Sequence, residues 1–138
     1  MRTFHVDILA ADKPFYQGDC QSLQIPTGNG QYGILAGHCN AIAAIVPGTM
    51  RMRDGEGREQ IAAVSEGLVK IENGTALLLI DSMERPEEID ANRARREAEE
   101  AREAILQKES IQSYYTAQAR MARALNRLRV KEQYMVNQ

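Results

Sequence analysis

The run Ser82-Met83-Glu84-Arg85-Pro86-Glu87-Glu88-Ile89-Asp90-Ala91-Asn92-Arg93-Ala94-Arg95-Arg96 divides the chain into two kinds of sequence. All ten glycines lie at or before Gly74, and Pro86 is the last of four prolines. From Glu87 to Gln138 there is no backbone breaker. Gly and Pro are the strongest local punctuators of structure, so their disappearance marks a domain boundary. Residues 1–84 are expected to form a β-rich head and residues 85–138 a helical tail.

Upstream of the joint, short apolar segments alternate with turn residues. Phe4, Val6 and Ile8 follow the two-residue period of a half-buried strand. Further segments lie at Phe15-Tyr16, Cys20 to Ile25, Tyr32 to Leu35, Ala41 to Val46, Met50 to Arg53, Gln60 to Val64, Leu68 to Ile71 and Ala76 to Ile80. Asp54-Gly55 and Asn73-Gly74 are the best two-residue hairpin signals, because a type I′ turn needs positive φ at both central positions. Pro14, Pro26 and Pro47 fall at strand ends, where a missing N–H is tolerated. The pattern predicts an antiparallel sandwich or barrel.

Downstream, Pro86, Glu87 and Glu88 suit a helix start. Asp90 is placed as the N-cap of the main helix, accepting from the N–H of Asn92 or Arg93. Ala94, Ala98, Ala101 and Ile105 form one apolar stripe, with Glu97, Glu99, Glu100, Arg102 and Glu103 on the wet side. The pattern loosens over 107–113, where Ser110 and Ser113 can each cap a second helix carrying Ala117, Met121, Leu125 and Leu128. Two such helices with a short link predict an antiparallel hairpin. The class is thus α+β: an antiparallel sandwich or barrel, then a two-helix hairpin.

Charge and cysteine usage narrow the functions. A net charge of −2 gives no global pull towards nucleic acid or anionic lipid. Residues 1–83 hold six Lys/Arg against nine Asp/Glu, and residues 84–138 hold eleven against ten. The local excess lies in Arg120, Arg123, Arg127, Arg129 and Lys131, without the interleaved aromatics of a nucleic-acid surface. Cys20 and Cys39 form no metal-ligand spacing and fit a reducing compartment. No apolar run approaches the roughly 20 residues of a membrane span, and the N-terminus lacks a secretory signal. A soluble, cytoplasmic chain is expected.

Three features bear on chemistry. Gly28, Gly30, Gly33 and Gly37 lack the lysine and helix of a phosphate loop, and read as tight turns. His38 stands beside Cys39 and Asn40, but neighbouring side chains on an extended segment point apart. It reads as a structural or interface histidine, and no catalytic residue is assigned. Arg123 and Arg127 share a helix face, and in a closed hairpin they return towards Arg93 and Asp90. Such a cluster fits either a polyphosphate site or a solvated basic face that docks on an acidic partner.

The chain resembles the epsilon subunit of F-type ATP synthase almost end to end. The likeness rests on Gly30-Gln-Tyr-Gly33-Ile-Leu-Ala-Gly37-His38, on Asn73-Gly74 followed by Ile80-Asp81, on Ile89-Asp90-Ala91-Asn92-Arg93-Ala94, and on Arg123-Ala124-Leu125-Asn126-Arg127-Leu128. It implies a head folded as an antiparallel β-sandwich of about ten strands, in a rotor subunit of the central stalk without catalysis of its own, peripheral on the cytoplasmic face of the membrane. Its head would bind the gamma subunit and touch the ring of c subunits, with Gly30, Gly33, Gly37 and His38 at that interface. Its tail would fold down, or extend towards the alpha and beta subunits and inhibit ATP hydrolysis. In some bacterial relatives the folded tail binds ATP; the matching residues here are Ile89, Asp90, Arg93, Ala94, Arg123 and Arg127. No cofactor is required, and ATP would be a regulatory ligand. A stand-alone ATP sensor and a constitutive structural adaptor are the alternatives. Departures from the family pattern are Ala36, Cys39 and Asn40 where prolines are common around the histidine, Glu66-Gly67 where Gly-Gly is usual, and Glu100 where some ATP-binding relatives carry a base.

Overall fold

The computed structural model describes residues 2–107 and 110–135, and the chain divides into two compact units, Met1–Glu84 and Arg85–Gln138. The first unit holds β1 (Phe4–Ala10), β2 (Pro14–Thr27), β3 (Gly30–Leu35), β4 (Ala41–Ile45), β5 (Gly48–Asp54), β6 (Glu59–Val64), β7 (Gly67–Glu72), β8 (Thr75–Ile80) and β9 (Met83–Glu84). The strands hydrogen-bond in the order β4-β7-β8-β1-β2-β5-β6-β9, with β3 added on β2. All these pairings are antiparallel except β1 with β8, which is parallel.

The alternation seen in the sequence is the alternation of burial. Phe4, Val6 and Ile8 of β1, Met50 and Met52 of β5, and Ala76, Leu78 and Ile80 of β8 all face inward. Side chains from every strand join one hydrophobic cluster, so the sheet is folded over on itself and its two halves share a core. This is the expected β-sandwich.

Two turns read alike in the sequence and differ in structure. Asn73 and Gly74 have φ of 53° and 78°, and Glu72 pairs with Thr75 across them: the expected two-residue turn. Asp54-Gly55 does not form one. Positive φ falls instead on Gly57, and residues 55–58 make a longer loop wound on the Asp54 carboxylate. Its Oδ1 accepts from the N–H of Glu56 and of Arg58, each at 3.0 Å, and its Oδ2 accepts from Gln60 Nε2 at 3.0 Å. The side chain, absent from a turn-type argument, sets the loop length.

The segments at Phe15-Tyr16 and Cys20 to Ile25 are parts of the single strand β2. Its first half pairs with β1 and its second with β3, while β5 takes the other edge, with an irregularity between Cys20 and Ser22. Pro26 lies one residue inside the end of β2, and its carbonyl accepts from Val46 N at 3.1 Å. Gly67 opens β7 opposite Ile80. A Cβ there would overlap the Leu79 carbonyl oxygen and stand 2.8 Å from Ile80 Cα.

The second unit begins with a 3-10 turn, Pro86–Glu88, followed by α1 (Ala91–Gln107) and α2 (Ile111–Met135). Asp90 Oδ1 accepts from Arg93 N at 3.1 Å, as expected of the N-cap. Ser110 rather than Ser113 caps α2, its Oγ accepting from Ser113 N at 3.0 Å; residues 108 and 109 of the link lie outside the described residues. The helices run antiparallel, since Glu97 meets Arg127 and Glu100 meets Arg120. Between them lie alanines: Ala94 and Ala101 on α1, Ala117 and Ala124 on α2, all at most 3% exposed. Leu125, expected on the stripe, is 41% exposed, and Ala124 takes the inner position. Among the described residues no helix is long and apolar enough to cross a membrane.

Replacing Gly67 by alanine should lower stability by about 1–3 kcal/mol through overpacking against backbone, read as a fall in melting temperature. The Asp54 carboxyl is held below the usual carboxylate range, first by the Gln60 amide and then by the Arg58 N–H. A depressed native pKa stabilises the fold above the unfolded value of about 3.9 and loses that contribution as pH falls through the native one. Thermal melts from neutral to acid pH should show Asp54→Asn less stable at neutrality, with the two curves converging in acid.

Candidate functional site

In the helical unit, two guanidinium groups from different helices meet on one carboxylate. Arg93, in the first turn of α1, donates through Nε to Glu97 Oε1 at 3.1 Å. Arg127, near the end of α2, donates through Nη1 to Glu97 Oε2 at 2.9 Å. The alanine seam permits this, because small side chains let two backbones approach closely. The Arg127 and Glu97 side chains are 26% and 28% exposed, whereas Arg93 is 69% exposed. Charge-assisted bonds in such a partly dry setting are stronger than neutral ones. Lys131 Nζ donates to the Pro86 carbonyl at 3.1 Å, tying the far end of α2 to the 3-10 turn.

The other residues singled out in the tail surround this clamp. Ile89 is buried at the end of the 3-10 turn, Asp90 is the exposed N-cap, and Ala94 lies in the seam. Arg123 is half-buried one turn before Arg127. Glu100 is solvent-facing and reaches Arg120 at 3.4 Å. Sequence reasoning passed over Glu97 by placing it on the wet side. Its signal was the four-residue spacing from Arg93, but the contact with Arg127 becomes visible only when the helices are side by side.

In the head, Gly30, Gly33, Gly37 and His38 do not form a pocket for chemistry. Gly30 opens β3 with φ of 102° and Gly37 turns the chain with φ of 83°, while Gly33 lies on β3 opposite Gln24. His38 Nδ1 is 2.7 Å from the Cys39 carbonyl and Nε2 is 2.9 Å from Tyr32 Oη. A carbonyl can only accept, so Nδ1 carries the proton and Nε2 accepts from the tyrosine. Both nitrogens are thus used in holding the loop. Asn40 Oδ1 accepts from Asn73 N at 3.0 Å, so hydrogen bonds hold a loop that lacks prolines. Cys39 is exposed, while Cys20 is buried and donates to the Ser22 carbonyl at 3.0 Å. Burial pushes the Cys20 thiol up to about 11, which leaves it no thiolate for nucleophilic work near neutrality.

One row on the outer face of one half of the sandwich is apolar. Ala44, Leu68, Leu79 and Leu9 stand side by side across β4, β7, β8 and β1. Leu68 is 52% and Leu79 49% exposed, with Ile42 nearby on β4 at 71%.

Residues 3–86 match the family described as ATP synthase, Delta/Epsilon chain, beta-sandwich domain, and residues 87–132 match its long alpha-helix domain. The chain belongs to the ATP synthase delta/epsilon family. It is 36% identical over 135 residues to the ATP synthase epsilon chain of Caldanaerobacter subterraneus, covering 96% of each chain. It is 34% identical over 128 residues to that of Ruminiclostridium cellulolyticum, covering 93% of this chain and 95% of the relative. Its fold is similar to a chain in the Euglena gracilis mitochondrial ATP synthase, at TM-score 0.77 and 20% identity over 90% of this chain and 78% of that one. A chain from the central stalk and c-ring of the Tetrahymena thermophila enzyme gives TM-score 0.69 at 12% identity, over 94% and 97%. Within the delta/epsilon family, then, this member pairs a sandwich carrying an exposed leucine band with an alanine-seamed hairpin carrying an arginine clamp.

Proposed function

We propose that this protein is a non-catalytic rotor subunit of an F-type ATP synthase. Its head docks on the gamma subunit and touches the c-ring, coupling the catalytic head to ion flow at the cytoplasmic face of the membrane. The observation that carries this is the leucine band. An apolar row across four strands, left in water by the head's own fold, is the kind of surface that an obligate partner covers. Relatives named as ATP synthase epsilon chains over nearly their whole length support reading that partner as another part of the enzyme. Strand β3 and the turn after it, with Gly30, Gly33, Gly37 and His38 and braced by Tyr32 and Asn40, are the part assigned to the ring.

The tail is the regulatory element in this reading. ATP enters between Arg93, Arg123 and Arg127, near the α1 N-terminus capped by Asp90, and holds the hairpin closed. The closed state gains RT ln(1 + [L]/Kd) from its ligand. When ATP falls, the hairpin opens and α2 lays its arginines on the alpha and beta subunits, stopping hydrolysis. What supports this is the convergence of Arg93 and Arg127 on one anionic group. A constitutive adaptor is the second reading, favoured by the Glu97 bridge, which closes the hairpin with protein groups alone.

A Leu68→Glu, Leu79→Glu variant, added to ATP synthase stripped of this subunit, should bind about 10–100-fold more weakly than wild type, each buried leucine being worth about 1.5–3 kcal/mol less any residual burial. Wild-type affinity would remove the docking assignment. Calorimetric titration of ATP into the isolated protein should show saturable binding that Arg93→Ala, Arg127→Ala abolishes. No binding at millimolar ATP would leave the stalk role and reduce the arginines to docking groups.

A further inference from the structure

Glu97 stands where an anion between Arg93 and Arg127 would stand. We propose that its carboxylate is a resident stand-in for the ligand, an internal anion that fills the clamp and that a phosphate must displace. The inference rests on the ATP reading above and deepens it. The geometry is that of a bound anion: one carboxylate oxygen on each guanidinium, at 3.1 and 2.9 Å, the two arginines drawn from different helices. Carboxylate and phosphate oxygens ask the same of an arginine, which is why one can replace the other.

Two consequences follow from electrostatics. First, entry of a phosphate brings it against a like charge, so Glu97 must swing out to water, a route its partly exposed side chain allows. Arg93, mostly exposed, can follow the incoming anion at small cost. Binding is therefore an exchange of one anion for another, and its affinity is lowered by the strength of the bonds that Glu97 gives up. Second, opening the hairpin separates Glu97 from Arg127 but not from Arg93, which shares its helix. The bridge thus biases the tail towards closure before any ligand arrives. ATP then adds to closure only the difference between its own bonds and those of the carboxylate. Glu100 is the natural control, since it is an acid on the same helix that pairs with Arg120 and touches neither clamp arginine.

The test is titration of ATP into the full chain as wild type, Glu97→Gln, Glu97→Ala and Glu100→Gln, beside Arg93→Ala, Arg127→Ala. Hydrogen exchange of α2 is measured without ATP in the same set. Removing the Glu97 charge should tighten ATP binding about tenfold, the scale of one charge-assisted contact of roughly 1.4 kcal/mol, and should speed α2 exchange in the absence of ATP. Glu100→Gln should change either readout less than about twofold, as an exposed pair does. If wild type binds through the arginines but neither Glu97 variant binds more tightly, the stand-in is wrong and the ATP site survives. If no variant binds, or binding persists without the arginines, both fall.

Discussion

The distance between two helix backbones is the constraint on which the helical unit of this protein depends. With Ala94, Ala101, Ala117 and Ala124 in the seam, α1 and α2 lie close enough for side chains on their flanks to meet directly. Larger residues would separate the helices and leave Glu97 and Arg127 to bridge through water. Alanine contributes little apolar burial, at about 0.8 kcal/mol per CH₂, so the seam fixes geometry more than it supplies energy. Polar links at either flank supplement it: the Asp90 cap, the Glu97 bridge and the Lys131 bond to Pro86. Most of these links lie near the start of α1 and the end of α2, where the candidate site is.

The head answers a different problem, that of covering the edges and faces of a large sheet. β2 is its spine, hydrogen-bonded to β1, β3 and β5, and a strand so engaged must bury regularly spaced side chains. Cys20, Leu23 and Ile25 do so. One row of the outward face, across β4, β7, β8 and β1, departs from the polar exterior that sheets commonly present to water. Leucines there are redundant for the core, and their placement makes sense as a surface for another chain. His38, the histidine in a suggestive setting, has both ring nitrogens committed to loop contacts.

Much of this was legible because it is local. Hydrophobic alternation, the Asn73-Gly74 turn and the Asp90 cap are each decided within a few residues, and each came out as read. Where the reading failed, a partner from elsewhere in the chain or an unconsidered side chain decided the outcome. Asp54 wound its own loop in place of a two-residue turn. Phe15-Tyr16 and Cys20 to Ile25 merged because Gly18 and Asp19, polar interruptions in sequence, keep extended backbone between strand partners. Leu125 is left exposed and Ala124 is buried in its place, a difference of one position in which face of α2 turns inward. The clamp arginines were found from their spacing, whereas Glu97, one acid among several on its helix, became distinct only through a contact across the seam.

The parallel pairing of β1 with β8 bears on how the molecule comes into being. His5 lies beside Thr75 and Ala10 beside Ile80, so the first strand finds one of its two neighbours only after nearly the whole head has left the ribosome. Until then β1 and β2 form a hairpin with an open edge, ready to template a strand from another chain. Joining such distant segments incurs loop-closure entropy before contacts compensate for it, which makes closure of the sandwich a slow step. The alanine hairpin, whose cross-helix polar contacts span 20 to 45 residues, has a shorter wait. A newborn chain thus carries an unfinished sheet edge for most of its synthesis, and the last long strand of the head seals it.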